Sequence, residues 1–326
     1  RSTIFNQFVG GETLEETARV AKQLGAYGVQ VILDYGVEAK EGEENFDIVT
    51  EKIMEALAFA ATQNNIPFVS IKLTGIASLQ LLETLNEAPR LRSGIHDSEI
   101  EDAAWERVKE RMYAICDLAA EKGVGILLDA EETWIQDVID NLCYEMMKKY
   151  NVGGKTIVYN TYQLYRNDRY HFLQLSYKIA KEKNFKLGAK LVRGAYMEKE
   201  RLRAKEQGVA SPIHLDKEAT DKDFDDAAAF CIQNKENISF ILASHNEQSN
   251  LKIAQLMIEK GISAGDPHVH FSQLYFENCF LLDIHCKYSL ATNLAESEYV
   301  AARMKKNRHL RRQFFRRQSS NQLRFF

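Results

Sequence analysis

The sequence predicts an α/β protein built on a parallel sheet, with a (β/α)8 barrel as the favoured architecture. Short apolar runs alternate with long amphipathic segments along most of the 326 residues, a pattern typical of buried parallel strands joined by helices. A doubly wound open sheet is the competing architecture. Its first turn should carry Gly-x-Gly-x-x-Gly, whereas this chain has Leu33-Asp-Tyr-Gly36, and the barrel is therefore favoured.

Seven apolar runs, each rich in Val, Ile, Leu or Phe, predict the strands. They cover residues 28–33, 68–73, 125–129, 156–160, 186–193, 239–244 and 268–273. Amphipathic segments between them predict helices at 46–63, 101–122, 133–150, 169–184, 217–233 and 248–260. A cation followed by glycine ends two of these helices, at Lys122-Gly123 and Lys260-Gly261. Seven strands are one fewer than a closed barrel of this class contains.

The overall composition narrows the classes of function. The formal net charge of −4 at pH 7 gives no field that would attract nucleic acid, so no nucleic-acid partner is expected. The five cysteines form no Cys-x-x-Cys pair, which argues against a zinc ribbon or a disulfide framework. No apolar run approaches the roughly 18 residues of a membrane span. We expect a cytoplasmic protein, with peripheral membrane contact left open.

Polar side chains stand at or near the end of almost every predicted strand. In a barrel of this class the reacting groups lie at the carboxyl ends of the strands, so these side chains form a shortlist of site residues. The shortlist contains Asp34, Glu38, Lys72, Asp129, Asn160, Tyr162, Gln163, Lys190, Arg193, Ser244, His245, Asn246 and Gln273.

Three residues of the shortlist have a structural explanation beside the functional one. Asp129 is also typical of a helix N-cap, because Glu131-Glu132-Thr133 follows it. Lys72 lies within an apolar run, where an unpaired buried ammonium would cost several kcal/mol, so a functional partner is favoured. His245 fits a structural role and a site role equally well.

The absence of two motifs argues against phosphate-loop nucleotide binding and against the usual serine hydrolase chemistry. The chain has no Gly-x-x-x-x-Gly-Lys-[Ser/Thr] phosphate loop and no Gly-x-Ser-x-Gly nucleophile elbow. Two alternatives remain open: a metal site on His268 and His270, completed by His245 and Asp129, and a Schiff base on Lys72 or Lys190. Cations, amides and a bare glycine backbone favour an organic cofactor that brings its own reactivity.

Six motifs at successive strand ends, and two more near the N-terminus, resemble those of the proline dehydrogenase family in order and approximate spacing. The motifs are Ser70-Ile-Lys-Leu73, Leu127-Leu-Asp-Ala-Glu-Glu132, Thr161-Tyr-Gln163, Lys190-Leu-Val-Arg-Gly-Ala-Tyr196, Ser244-His-Asn246 and Phe271-Ser-Gln-Leu274, with Phe8-Val-Gly-Gly-Glu12 and Leu33-Asp-Tyr-Gly-Val-Glu38 before them. The resemblance implies a distorted (β/α)8 barrel that binds FAD noncovalently. It also implies oxidation of L-proline to 1-pyrroline-5-carboxylate, with a quinone as the electron acceptor.

The resemblance further implies roles for individual residues. Asp129 and Lys190 match catalytic positions: Lys190 as a cation that stabilises the reduced flavin, and Asp129 beside substrate and flavin, holding Lys72 in place. Lys72 matches the partner of the substrate carboxylate, and Leu274 the apolar contact of the proline ring. Asn160 matches an amide near the reactive edge of the flavin. The positions that match the cofactor site are Ala130, Asn160, Val192, Arg193, Gly194, Ala195, Tyr196, Lys217, Ser244, His245 and Gln273.

After Tyr275 the resemblance fades, so we divide the chain into a barrel at 1–275 and an atypical basic segment at 276–326, in place of the last strand and helix. Arg316 and Arg317 echo the family's arginine pair that clamps the substrate carboxylate; the alternative is a solvated basic tail. A flavin-binding barrel without activity is therefore a second hypothesis. The resemblance implies a location at the periphery of the bacterial inner membrane, or in mitochondria if the source is eukaryotic.

Overall fold

A single parallel sheet with helices on its outside organises the protein. The computed structural model describes residues 13–34, 41–87 and 103–274. The strands are β1 (Ile32–Asp34), β2 (Phe68–Ile71), β3 (Gly125–Leu128), β4 (Val158–Gln163), β5 (Leu187–Val192), β6 (Ile238–Ala243) and β7 (Val269–Ser272). The helices are α1 (Leu14–Gly25), α2 (Glu43–Ala61), α3 (Leu79–Asn86), α4 (Ala103–Lys122), α5 (Thr133–Tyr150), α6 (Arg169–Glu182), α7 (Met197–Gln207), α8 (Lys217–Gln233) and α9 (Glu247–Glu259), with a 3₁₀ turn at Leu73–Gly75.

The strands lie in the order β1 to β7, and each pairs in parallel with the next. Every β-α-β connection therefore joins neighbouring strands, which is the topology of a barrel and differs from that of a doubly wound sheet. The seven strands are those predicted, although their bounds differ by a few residues. The predicted segment 276–326, with its replacement for an eighth strand, lies outside the described residues.

Side chains along the strands alternate between two faces of the sheet. The outer face packs on the helices in the main hydrophobic core, to which Val158 and Leu191 belong. The inner face has its own small cluster, formed by Phe68, Leu127, Tyr159 and Ile241 with Ile32 packed against it. Because strand side chains alternate with a period of two, the cluster identifies the other inner-face positions of each strand.

The amino ends of the strands are closed by rings on the inner face. The ring of Phe68 meets that of Tyr159 edge-on at 5.4 Å and that of His270 at 5.0 Å. Gly125 and Gly188 make room for this packing: a Cβ on Gly125 would lie 2.5 Å from the Phe68 ring, and one on Gly188 would lie 2.1 Å from the Val158 carbonyl oxygen. With this end filled, polar groups gather at the carboxyl ends.

The helices confirm most of the sequence pattern and show where it failed. α5 and α8 have the predicted bounds. The pattern missed three helices. These are α1, α3, which has only eight residues, and α7, whose sequence Met-Glu-Lys-Glu-Arg-Leu-Arg-Ala-Lys-Glu-Gln has no apolar stripe. α7 is held by tertiary contacts instead: its buried Glu200 accepts hydrogen bonds from the backbone N and the Oγ1 of Thr133, each at 2.7 Å, and so caps α5.

Within the described residues, none of the helices combines the length and the apolarity that a membrane span requires.

A polar cluster around His268 anchors the start of β7. Lys186 Nζ lies 3.0 Å from His268 Nε2, and Ser239 Oγ lies 2.7 Å from His268 Nδ1. An ammonium only donates, so Nε2 must accept and the neutral ring carries its proton on Nδ1. Burial first, and then the charge of Lys186, lower the pKa of His268 below its usual 6.5; Lys235 acts in the same direction, whereas Asp266 and Glu236 oppose it.

We expect the protein to lose stability below pH 6.5 through His268. The unfolded chain takes up a proton near pH 6.5, while the folded protein resists it; the contribution of the neutral ring is therefore complete above that pH and lost as the pH falls towards the lower folded-state pKa. Urea unfolding at pH 7.5 and pH 5.5 measures the effect. His268→Gln should weaken the pH dependence, and His171→Gln, at an exposed position of α6, should preserve it. Equal pH dependence in wild type and His268→Gln would contradict this assignment.

Candidate active site

An ion pair on the inner face forms the centre of the candidate site. Lys190 Nζ, from β5, lies 2.5 Å from Asp129 Oδ1, just past β3. Ser70 Oγ, from β2, donates to the same carboxylate oxygen at 2.9 Å. Both charged side chains keep some exposure, 16% for Lys190 and 19% for Asp129. Three strands thus place a cation and an anion together at the carboxyl end of the sheet.

These contacts exclude the helix N-cap explanation for Asp129 and correct its predicted partner. Asp129 is not a helix N-cap: α5 begins after Glu132, which makes no side-chain capping bond. The prediction that Asp129 holds Lys72 is wrong in its partner, because its carboxylate is bonded to Lys190 and Ser70. A sequence pattern places residues on a face but does not fix which strands come within reach across a curved sheet.

Lys72 also differs from its predicted environment. β2 ends at Ile71, so Lys72 stands beyond the strand and its side chain is exposed, which makes the prediction of a buried ammonium wrong. No described residue forms an ion pair with it. Its charge still acts on Asp34 and Glu131, where it opposes the rise in pKa that burial causes. Lys72 is therefore a cation at the rim of the site that is free to meet an anion.

Two carboxyl groups near Lys72 have raised pKa values. Burial, followed by the charge of Asp129, raises the pKa of Asp34, with Lys190 and Lys72 opposing. Many protein atoms lie around the Asp34 carboxyl group, although the residue as a whole is exposed to solvent. Burial raises the pKa of Glu131, against hydrogen bonds from the backbone N and the Oγ1 of Thr74 at 3.1 and 2.6 Å. Glu131 thereby joins the end of β3 to the turn after β2.

The loop after β5 is fixed by a side chain of β4. Gln163 Nε2 donates to the carbonyl oxygen of Glu131 at 2.8 Å, and its Oε1 accepts from the backbone N of Ala195 at 3.1 Å. Gln163 was on the sequence shortlist but received no role. The signal was present in the motif Thr161-Tyr-Gln163, where strand alternation puts the first and third residues on one face.

Gly194 is the one residue of this loop that no other amino acid can replace without strain. Its φ is +144°, a conformation that residues with a Cβ rarely adopt. A Cβ there would lie 2.4 Å from the ring of Tyr165. The backbone of the loop thus packs directly on the Tyr165 ring, which occupies the space that a side chain would take.

Arg193 and Lys217 act on a shared carboxylate. Arg193 Nε donates to Asp221 at 2.6 Å, and its two terminal nitrogens donate to Ser244 at 2.6 Å and Ser249 at 2.9 Å. The Lys217 ammonium also pairs with Asp221. The guanidinium of Arg193 therefore ties β5 to α8, to the end of β6 and to α9. A direct contact of either residue with a cofactor stays a prediction.

Asn160 does not offer the amide that was predicted. β4 continues to Gln163, three residues beyond the predicted end, so Asn160 lies in mid-strand. Its Nδ2 donates to Asp140 of α5 at 2.8 Å and its Oδ1 accepts from the backbone N of Thr161 at 2.9 Å. The side chain faces the helices and is fully engaged. The inner-face residues of this part of β4 are Thr161 and Gln163.

The remaining predicted positions follow β6 and β7. Gln273 Nε2 donates to the Ser244 carbonyl oxygen at 3.1 Å, and the backbone N of Leu274 donates to His245 Nε2 at 3.2 Å. These bonds bring the ends of β6 and β7 together, and the Leu274 side chain is 78% exposed. The other predicted residues, Ala130, Val192, Ala195 and Tyr196, lie at the carboxyl ends of β3 and β5. Burial, and then the charges of Glu131, Glu132 and Asp129, raise the pKa of Tyr196. Arg316 and Arg317 lie outside the described residues.

The alternative metal site is not assembled. The nitrogens of His268 are bonded to Ser239 and Lys186, and His270 Nε2 lies 3.1 Å from the carbonyl oxygen of Pro267. Across residues 13–34, 41–87 and 103–274, no group of three or more His, Cys, Asp or Glu side chains is arranged to hold a metal ion.

Comparison with known proteins identifies the family. Residues 17–275 match the family model described as proline dehydrogenase. The chain belongs to the proline dehydrogenase family. The predicted family and its class of enzyme, an oxidoreductase of proline catabolism, are thereby confirmed.

Individual relatives agree with this assignment. The chain is 32% identical over 289 residues to the carbapenem antibiotics biosynthesis protein CarD of Pectobacterium carotovorum subsp. carotovorum, covering 89% of this chain and 71% of CarD. It is 31% identical to mitochondrial proline dehydrogenase 1 of Dictyostelium discoideum and 30% identical to the hydroxyproline dehydrogenase of Xenopus laevis, each over 84% of this chain. It spans only 54% and 65% of those two proteins.

A solved structure shows the same fold. Proline utilization A (PutA) from Bdellovibrio bacteriovorus matches 88% of this chain with a TM-score of 0.72 and 19% sequence identity, although the match covers only 29% of PutA. A PutA from Bradyrhizobium japonicum matches 90% of this chain with a TM-score of 0.68. The predicted distorted (β/α)8 barrel is confirmed as the fold class.

We expect Gly194→Ala to lower the free energy of unfolding by about 2 kcal/mol, because the new methyl group adds a clash with Tyr165 to an unfavourable φ. Gly123→Ala is the matched control: its φ is +69° but a Cβ would meet nothing within 4 Å, so only the backbone cost of about 1 kcal/mol remains. Urea unfolding of both variants measures the difference. Equal losses would show that the Tyr165 contact carries no cost.

Proposed function

We propose that the protein oxidises L-proline to 1-pyrroline-5-carboxylate with noncovalent FAD as its cofactor, and that the electrons pass on to a quinone. The observation that carries the proposal is the Asp129–Lys190 pair on the inner face, at the carboxyl end of the sheet, in a chain of this family. The chain spans 54% of the mitochondrial relative from Dictyostelium discoideum, so the activity rests on this part of the protein containing the whole site.

The residues present fit a flat, polar-edged group such as the flavin of FAD. Gly194 lets the loop after β5 lie close against the sheet end, because the Tyr165 ring takes the place of a side chain. Gln163 holds the next residue, Ala195, in place. On the inner face, Thr161 Oγ1 is buried and has no hydrogen-bond partner among the described residues. An unpaired buried hydroxyl is costly, which supports a ligand with a polar edge beside it.

The proposed holders of FAD are Ala130, Ser244 and His245 beside the ring system, Val192, Gly194 and Ala195 along the cofactor, and Tyr196 and Lys217 at its ribityl and phosphate parts, with Gln273 from the end of β7. Arg193 supports the arrangement through Asp221 and Ser244. When bound, the flavin supplies the hydride acceptor that amino-acid side chains lack. The protein contributes orientation, charge placement and exclusion of water.

Lys72 and the nearby carboxyl groups suit an amino acid in its zwitterionic form. The exposed ammonium of Lys72 is the proposed partner of the substrate carboxylate, a charge-assisted hydrogen bond. Asp34 and Asp129 put negative potential nearby, which favours a protonated amine on approach. Leu274 is the proposed apolar contact of the proline ring.

Lys190 is proposed to stabilise negative charge on the reduced cofactor. Its ammonium is fixed by Asp129, and Asp129 by Ser70, so the cation has a defined position before any reaction. A preorganised charge costs little reorganisation when charge develops nearby. The same engagement weighs against a Schiff base on Lys190, which requires a deprotonated amine.

Addition of L-proline to the purified protein tests the proposal. We expect flavin absorbance in the pure protein and its bleaching when L-proline is added without an electron acceptor, because hydride is then stored on the flavin. Reoxidation by a soluble quinone tests the acceptor. Flavin colour without bleaching would favour the inactive flavin-binding barrel, and a colourless protein that also fails to bind added FAD would overturn FAD as the cofactor. Hydroxyproline is the substrate to compare, since one relative is named a hydroxyproline dehydrogenase.

The names of several relatives state that those proteins are mitochondrial, and the compartment of this chain stays a prediction, as does peripheral association with a membrane.

We expect Lys72→Ala to raise the KM for L-proline by about ten- to a hundredfold, the equivalent of about 1.5–3 kcal/mol for one charged hydrogen bond, with a smaller change in kcat. Steady-state kinetics over a range of proline concentrations measures it. Lys178→Ala, which removes an exposed lysine of α6, is the control. An unchanged KM in Lys72→Ala would show that the substrate carboxylate has another partner.

A further inference from the structure

Thr161 stands out among the buried threonines. Within the described residues, Thr50, Thr161 and Thr220 are buried. The hydroxyls of Thr50 and Thr220 donate to the carbonyl oxygens of Phe46 and Asp216, four residues earlier in their helices. Thr161 lies in a strand, where no such carbonyl is within reach, and its Oγ1 has no partner in the described part of the chain.

The position of Thr161 in β4 directs its side chain towards the inner face of the sheet. Asn160 and Tyr162, on either side, face the helices, the first bonded to Asp140 and the second in the main core. Thr161 therefore faces inward, between Tyr159 in the inner cluster and Gln163, which holds the loop after β5. Its register partner on β5 is Lys190.

The immediate surroundings leave the hydroxyl without a protein partner. The Lys190 ammonium is bonded to Asp129, and the Asp129 oxygen it meets also accepts from Ser70. Both charged side chains retain partial exposure, so the polar layer around them reaches solvent at the carboxyl end of the sheet, while Thr161 Oγ1 lies buried within that layer. A valine would fill the same volume on this strand without a polar atom to satisfy.

We infer that Thr161 is a ligand-binding residue whose hydroxyl donates a hydrogen bond to a carbonyl oxygen or ring nitrogen of the bound flavin. The inference rests on the proposed function, since it takes the flavin as the ligand. Flavin ring edges carry mostly hydrogen-bond acceptors, and a threonine hydroxyl has one proton to donate. On the inner face of β4, the Gln163 amide then positions the loop after β5, and the Thr161 hydroxyl contacts the flavin ring.

Thr161→Val tests the inference in the full chain. In the FAD-free protein we expect a thermal midpoint equal to or above that of wild type, because the variant removes an unpaired buried hydroxyl. We expect the dissociation constant for added FAD, followed by quenching of flavin fluorescence, to rise about tenfold, or about 1.4 kcal/mol. Thr161→Ser keeps the hydroxyl and should bind FAD within about twofold of wild type.

Thr50→Val is the matched control. It removes a buried threonine hydroxyl whose partner lies within the protein, and it should leave the dissociation constant for FAD unchanged. Thr161→Val that binds FAD as tightly as wild type would overturn the inference. So would a drop in the thermal midpoint of the FAD-free Thr161→Val protein, which would show that the hydroxyl is bonded within the fold.

The experiments distinguish a failure of the proposed function from a failure of the role of Thr161. A wild-type protein that binds no FAD removes the proposed function and this inference with it. Wild-type protein that binds FAD and bleaches with L-proline, together with an unchanged Thr161→Val, removes only the role of Thr161.

Discussion

The sheet of this protein is buried on both faces, and the two-residue alternation of its strands decides which side chains can take part in chemistry. Along β4, Asn160 and Tyr162 face the helices, whereas Thr161 and Gln163 face inward. On β5 the same alternation turns Lys190 inward, opposite Thr161, and Leu191 into the main core. A slip of one residue would move the ammonium of Lys190 into the helix layer, where nothing apolar could compensate its charge.

The inner face is divided along its length by the size of its side chains. At the amino ends of the strands the rings of Phe68 and Tyr159 fill the space that Gly125 and Gly188 leave open. Beyond them the inner positions become polar, with Ser70, Thr161 and Lys190. Within the described residues, a floor of packed rings therefore lies under a polar layer that holds the Asp129–Lys190 pair.

The sequence pattern predicted the strands well and the contacts between them poorly. Apolar runs located all seven strands, and amphipathic segments located α5 and α8, because both signals are local. β4 was ended three residues early because Thr161-Tyr-Gln163 is polar, although these residues are buried in the sheet. That boundary put Asn160 at a strand end that Gln163 occupies in the structure. Lys72 was misjudged through the opposite error, because the predicted strand ran to Leu73 whereas β2 ends at Ile71.

The sequence pattern could not predict which side chains form ion pairs or hydrogen bonds across the sheet. Asp129 was expected to hold Lys72, and it holds Lys190 instead, because curvature brings β3 and β5 within reach of one carboxylate over the intervening β4. Family motifs supplied the identities of the site residues, yet only coordinates showed that Arg193 is tied to Asp221, Ser244 and Ser249. Alternation can be read from a sequence, whereas curvature depends on the whole sheet.

The Asp129–Lys190 pair makes sense as a device for position and not for stability. The two side chains are only 16% and 19% exposed, so the cost of removing both charges from water offsets much of their attraction, and the pair is weak evidence for stability. Ser70 donates to the same Asp129 oxygen that meets Lys190. If Lys190 turned towards negative charge developing beside it, Asp129 would keep one hydrogen bond, and the cost of the movement would be reduced. Lys190 makes one hydrogen bond to Asp129, and the Asp129 carboxylate accepts two. Lys190 can therefore move a small distance while Asp129 keeps its hydrogen bond from Ser70.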